Sequence, residues 1–209
     1  MKVILAHRGV SYKFEENSIE AFCAIFNYTS KFQLGVELDI NLSLDNKLFV
    51  YHDKTINNIP LHNLTYDEIK SRNNNIPLLE EVLQRFYGSN YVINIEIKSY
   101  PNNKQSYCDL ILQTVKKYKV NYKVKYFFSS FSETICQIIK NKNQLCYKLS
   151  DINEKKGDIV HYSEINENTK GVYTLYDKDF NENHLPKIKH IGILITDDIE
   201  KTLDYFESL

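Results

Sequence analysis

Four short charged clusters each close a run of apolar residues: His7-Arg8-Gly9, Glu37-Leu38-Asp39, His52-Asp53 and Glu96-Ile97-Lys98. Besides Asp53, they hold two imidazoles able to move protons, three carboxylates of the kind that bind a divalent cation, and two fixed cations suited to phosphate oxygens. That is the set of groups needed to cut a phosphodiester. Strand geometry accounts for the spacing, because side chains two apart on a strand point to the same face. Glu37 and Asp39 then share a face, as do Asn94, Glu96 and Lys98, while Ile93, Ile95 and Ile97 line the other. One such cluster reads equally well as a solvated edge strand, since charged residues are usually exposed. Four of them at strand ends point to a site.

Residues so spaced must be delivered by strands, and the chain alternates strand and helix patterns from end to end. Strands are expected at Val3 to Ala6, Gly35 to Leu42, Leu48 to Tyr51, Tyr91 to Lys98, Val124 to Ser129, Leu145 to Leu149, Gly171 to Leu175 and His190 to Ile195. Helical patterns fall between most of them, at Ser18 to Tyr28, Thr65 to Ser71 with Leu78 to Tyr87, Lys104 to Tyr118, Glu133 to Asn141 and Ile199 to Ser208. Such alternation implies an α/β fold with a mainly parallel sheet, closed as a small (β/α)8 TIM barrel with a short insertion after the third strand. The competing open, doubly wound sheet lacks its Gly-rich phosphate turn, since the six glycines are scattered. Asp45-Asn46 reads as a turn that returns the chain from Glu37-Asp39 toward His52, a hairpin-like departure from strict alternation. Asn17 or Ser18 is an expected cap of the first helix, and Thr65 with Glu68 an expected capping box.

At 209 residues and 43% hydrophobic, the chain is expected to form one domain over 1–209 with a substantial core. A net charge of -1 leaves no basic excess to suggest nucleic acid, so small molecules are the expected partners. Val3 to Ala6 is too short for a signal-peptide core and no stretch approaches a membrane span, so a cytoplasmic location is expected. Cys23, Cys108, Cys136 and Cys146 are widely separated with no C-x-x-C pair, and read as small buried hydrophobes rather than zinc ligands or disulfides. His62, His161, His184 and His190 read as surface or supporting residues. Asp53 either orients the His52 loop or makes an ordinary Asx-turn.

Taken in order, His7-Arg8-Gly9, Glu16-Asn17-Ser18, Glu37-Leu38-Asp39, His52-Asp53 and Glu96-Ile97-Lys98 resemble the His-Arg-Gly, Glu-Asn-Thr, Glu-x-Asp, His-Asp and Glu-x-Lys elements of the glycerophosphodiester phosphodiesterase family. Ile76 to Leu83, Ser129-Ser130-Phe131 and Ile193 to Asp197 are similar to further family stretches, so the resemblance covers nearly the whole chain. It implies a metal-dependent enzyme that hydrolyses glycerophosphodiesters to an alcohol and sn-glycerol 3-phosphate by general acid-base catalysis. Carried to matching positions, it makes Glu37, Asp39 and Glu96 ligands of one divalent metal ion, Mg2+ or Ca2+. Arg8 and Lys98 become contacts of the phosphate. His7 and His52 become the catalytic pair, His7 read as base and His52 as acid with the reverse left open. Asn17, Asp53, Phe131 and Tyr173 are accessory.

Formal charge agrees with that set. Three carboxylates, a divalent cation, Arg8 and Lys98 leave one positive charge to receive a phosphodiester, and without the cation the site would repel it. Two positions depart from the family: its usual Pro is Glu15, and its Trp-Thr-Val-Asn element is Tyr173-Thr174-Leu175-Tyr176 in a chain without tryptophan. The segment Lys54 to Leu64, where the family commonly carries more chain, is brief, which suggests an open pocket with little lid. Two other readings remain: a lysophospholipase D or sphingomyelinase D-like enzyme, needing an apolar track that no exposed hydrophobic helix offers, and a catalytically silent phosphate-binding module, against which the complete set of reactive groups stands.

Overall fold

In the computed structural model the described residues are 3–99, 101–118, 125–149, 159–161, 172–175 and 192–208, with the backbone alone at 159–161 and 172–175. The strands form where apolar residues alternate or run together, and the helices where they recur every three or four positions. In chain order the elements are β1 (Val3–Ala6), α1 (Ile19–Cys23), β2 (Gln33–Leu42), β3 (Leu48–Val50), β4 (Thr55–Ile56), β5 (Ile59–Pro60), α2 (Tyr66–Arg72) and α3 (Leu79–Phe86). There follow β6 (Val92–Ile97), α4 (Lys104–Tyr118), β7 (Lys125–Ser130), α5 (Glu133–Asn141), β8 (Cys146–Lys148), β9 (Ile159–His161), β10 (Val172–Leu175), β11 (Ile193–Thr196) and α6 (Ile199–Glu207).

Eight of these strands lie side by side in the order β8, β7, β6, β2, β1, β11, β10, β9, every pair parallel. Each therefore neighbours the next parallel strand of the chain, and β11 closes onto β1, with Ala6 beside Thr196. This is the strand order of a (β/α)8 barrel; the seam between β8 and β9 borders residues outside the described set. One member of the expected eight is different. Leu48 to Tyr51 is not a barrel strand: β3 folds back antiparallel on β2, pairing Ile40 with Val50, and stands off the parallel path. Its place is taken by β9, whose Ile159-Val160-His161 carries too few apolar residues to set a strand period in the sequence. The hairpin signalled by Asp45-Asn46 is the reason β3 returns; Asn46 adopts a φ of 58°, a left-handed conformation that asparagine tolerates.

Side-chain alternation divides the core in two. The outward face of the barrel, Ile4, Ala6, Val36, Leu38, Ile40, Ile93, Ile95 and Ile97, packs against the helices. Inside, Leu5, Val92, Phe127, Leu149 and Ile195 form a smaller apolar floor. A third cluster, Phe49, Ile56, Leu61, Leu64, Ile69 and Ile76, supports the short insertion between β3 and α3. Local chemistry fixes the helix starts: Ser18 accepts from the Ala21 N–H, and Thr65 and Glu68 form the expected capping box. The first helix is shorter than expected, with Ala24–Asn27 continuing it as a tighter 3-10 turn. Cys108, Cys136 and Cys146 are buried as expected, while Cys23 is half-buried. His62 is exposed on the insertion; His184 and His190, and the side chain of His161, lie outside the described residues. Among the described residues no helix is long and apolar enough to cross a membrane.

Candidate active site

The register of β2 and β6 sets Asp39 beside Glu96 and Glu37 beside Asn94, all on the inward face. A carboxylate oxygen from each of Glu37, Asp39 and Glu96 lies within 4.8 Å of the other two. Lys98 continues the alternation of β6, placing Nζ 2.6 Å from Asp39 Oδ1 and in contact with Glu96 Oε1. Lys98 and all three carboxylates are thus one ionic cluster above the apolar floor.

Beyond β1 the chain turns sharply over this cluster. Arg8 and Asn17 both adopt left-handed backbone, with φ of 55° and 58°, and Gly9 a φ of 80°. A side chain at Gly9 would put Cβ 2.7 Å from the Ala21 carbonyl carbon, so glycine lets the turn lie against α1. The strain at Arg8 is held by its own hydrogen bonds: its N–H donates to Glu37 Oε2 at 3.0 Å, and its carbonyl accepts the Asn17 N–H at 2.9 Å. Its guanidinium spans Glu16, at 3.0 and 2.8 Å from the two oxygens, and Asp39, with Nε 3.4 Å from Oδ2. Asn17, buried, donates Nδ2 to Asp39 Oδ2 at 2.9 Å and accepts the Asp39 N–H at 3.3 Å. Asn17 therefore grips a candidate ligand, and the helix cap is left to Ser18.

The two histidines arrive from opposite sides. His7 extends the β1–β11 ladder through its N–H to the Thr196 carbonyl, its Nδ1 lies 2.5 Å from Asp197 Oδ1, and its Nε2 is 3.9 Å from Glu37 Oε2. His52 is delivered by the hairpin: the Tyr51 N–H donates to the Asp39 carbonyl at 2.9 Å, and Asn41 Nδ2 donates to the Tyr51 carbonyl at 2.6 Å. His52 Nδ1 then meets Asp53 Oδ1 at 2.9 Å. A carboxylate on Nδ1 favours the proton there and leaves Nε2 as the nitrogen presented for proton transfer. The His7 pair is largely buried; the His52 pair is open, with Asp53 65% exposed.

Burial and charge pull these groups in different directions. Burial and the neighbouring Asp39 push Glu37 up to about 8, against the opposing pull of His7 and Arg8. Burial also raises Glu96, which Lys98 only partly offsets. Asp39 is held down at about 2, because Lys98, Arg8 and His52 outweigh its burial. For His7, burial disfavours the cation, yet the Asp197 hydrogen bond and the Glu37 charge together raise its pKa. Arg8 and Lys98 stay charged for the same reason, carboxylates overcoming burial.

The residues fit a divalent cation. Glu37 Oε1 is buried without a hydrogen-bond partner, an uncommon and costly state for an acceptor, and it belongs to an all-oxygen set suited to Mg2+ or Ca2+. Phe131 follows β7 and is 45% exposed. Tyr173 lies on β10, where the backbone alone is described. Two partners had no assigned role in the sequence reading, Asp197 on His7 and Glu16 on Arg8. Asp197 does carry the same signal as the four clusters, a charged residue closing an apolar strand.

Residues 7–201 match the model of the glycerophosphoryl diester phosphodiesterase family. The chain belongs to this family. A glycerophosphodiester phosphodiesterase from Thermotoga maritima, known from a crystal structure, is 25% identical over 98% of both chains with a TM-score of 0.73. A phosphodiesterase from Oleispira antarctica, solved in complex with the product sn-glycerol-3-phosphate, shares the fold at a TM-score of 0.79 and 17% identity, covering 99% of this chain and 97% of that one. A glycerophosphodiester phosphodiesterase from Caldanaerobacter subterraneus is 28% identical over 158 residues, 66% of this chain and 61% of that protein. Across the curated relatives the matches span 46% to 61% of the relatives' own length.

Proposed function

We propose that the protein is a single-domain, metal-dependent phosphodiesterase that hydrolyses glycerophosphodiesters to an alcohol and sn-glycerol 3-phosphate. The observation that carries this reading is the convergence, at the C-terminal ends of β1, β2, β6 and β11, of three carboxylates, Arg8, Lys98 and an imidazole held by a carboxylate, with a second such imidazole brought in by the hairpin. Family membership and the product held by the Oleispira relative support the substrate class.

In this reading Glu37, Asp39 and Glu96 hold one divalent cation, Mg2+ or Ca2+. Bound there, the cation neutralises phosphate charge and stabilises the charge that develops on attack. Arg8 and Lys98 orient the phosphodiester through its oxygens; Glu16 and Asn17 keep Arg8 and Asp39 in place. His7 takes the proton of the attacking oxygen through Nε2, with Asp197 holding the ring and stabilising the imidazolium that forms. His52, on the open side, donates a proton to the leaving alkoxide. The net reaction adds one water across the P–O bond.

The test is release of sn-glycerol 3-phosphate from glycerophosphocholine, glycerophosphoethanolamine and glycerophosphoinositol, with lysolipids in parallel, in Mg2+, Ca2+ or chelator. Turnover of the water-soluble diesters that chelator abolishes is expected. Turnover of lysolipids alone would replace the substrate class, turnover untouched by chelator would remove the metal, and phosphate binding without turnover would favour the silent module.

A further inference from the structure

Between the apolar floor of the barrel and the ionic cluster lies one neutral polar pair, Asn94 on β6 and Ser129 on β7, exposed by only 1% and 0%. Ser129 Oγ donates to Asn94 Oδ1 at 3.0 Å. Because β6 stands between β7 and β2, an amide with its oxygen turned to β7 has Nδ2 turned to β2, where the register partner of Asn94 is Glu37. Glu37 Oε1, on the same face of that next strand, is buried without a hydrogen-bond partner. The opposite amide orientation would aim an oxygen at a carboxylate, so the donor is the arm that faces Glu37.

Leaving the Glu37 Oε1 acceptor unpaired in a buried layer costs free energy, and an ordinary barrel position beside it has no need of an amide. Valine or isoleucine would fill the space beside the floor residues Val92 and Phe127. The terminal torsion of a glutamate is soft, so a turn of the carboxylate brings Oε1 toward Nδ2. Arg8 already donates its N–H to Oε2, and a second donor at Oε1 would fix the carboxylate at both oxygens while leaving a lone pair on each.

We propose that Asn94 is a positioning residue of the candidate metal centre: its amide, aligned by Ser129, donates to Glu37 and holds that carboxylate in its ligating orientation. This inference rests on the proposed metal site. The experiment is calorimetric titration of Mg2+ into the wild-type protein and two variants of matched shape, Asn94→Val and Asn94→Thr, with thermal melting in chelator as a check on the fold. Asn94→Val is expected to weaken binding on the order of 10–100-fold, and Asn94→Thr, which restores an O–H donor, to stay within about threefold of wild type. A packing role would move both variants alike, and equal affinities would overturn the proposal. Should Asn94→Val fail to fold, Ser129→Ala decides instead: unlocking the amide must weaken binding, and an unchanged affinity overturns the proposal. Wild-type protein that takes up no Mg2+, Ca2+ or Mn2+ would defeat the metal reading itself, a result distinct from matched Val and Thr variants in a protein that does.

Discussion

Glu37 is buried beside Asp39, and that burial and charge raise it to about 8. Near neutral pH its carboxyl therefore carries a proton, and a cation that takes this ligand must displace it. Mg2+ binding should release about one proton near pH 7, and the affinity should climb with pH until about 8 and then level. Titrations in buffers of different ionisation enthalpy count the proton; an affinity independent of pH across that window contradicts the shift. The two imidazoles differ in how firmly they are held. Asp197 sits 2.5 Å from a largely buried His7, whereas Asp53 meets His52 in the open, where such pairs contribute little. Asp197→Asn should therefore lower kcat on the order of 10²–10⁴-fold with KM little changed, and Asp53→Asn should lose far less. Steady-state kinetics of the two variants on one diester decides it, and equal losses would reassign the roles.

β2 is the element on which the site depends, because it carries Glu37 and Asp39, receives β6 and β1 on its two edges, and turns back to deliver His52. Gly35 is where these neighbours crowd it: a Cβ there would stand 1.9 Å from the Val92 carbonyl oxygen and 2.7 Å from Leu5 Cδ2. The Val92 carbonyl belongs to the β6 backbone and cannot yield cheaply. Gly35→Ala should destabilise by at least about 1–3 kcal/mol and shift the register on which the carboxylates depend. Urea unfolding in chelator measures it, and a wild-type midpoint would show that the ladder gives way freely. The same strands explain what was legible beforehand. β2 and β6 alternate over 10 and 6 residues, long enough for Glu37, Asp39, Glu96 and Lys98 to be assigned to one face, and α4 and α5 run over the expected residues. β3 has the composition of a barrel strand; its direction is set by the tight turn, which composition does not report. β9 was too short to register. The partners of the reactive groups were the least legible part, since His7 and Asp197 are 190 residues apart and meet only because β11 closes onto β1.

At the scale of the whole molecule, the interior of the barrel joins folding to protonation, and would join it through those protons to any cation the carboxylates take up. Glu37, raised from 4.5 to about 8, and His7, raised from 6.5, hold protons more tightly in the folded chain than in the unfolded one. Each contributes stability that is complete below its ordinary value and is lost as pH rises through its folded value. Asp39, lowered from 3.8 to about 2, acts in the other sense: its contribution is present above 3.8 and is lost as pH falls toward 2. In chelator the contribution of these groups should therefore be greatest near pH 4 and decline steadily toward pH 8. A cation that replaces the Glu37 proton works against that decline, because its affinity grows over the same interval and ligand binding stabilises by RT ln(1 + [L]/Kd). With saturating Mg2+ the thermal midpoint should fall less between pH 5 and 8 than it does in chelator, so the two curves diverge as pH rises. Parallel curves would mean that the proton on Glu37 and the cation do not compete for one carboxylate, and would move the cation away from Glu37.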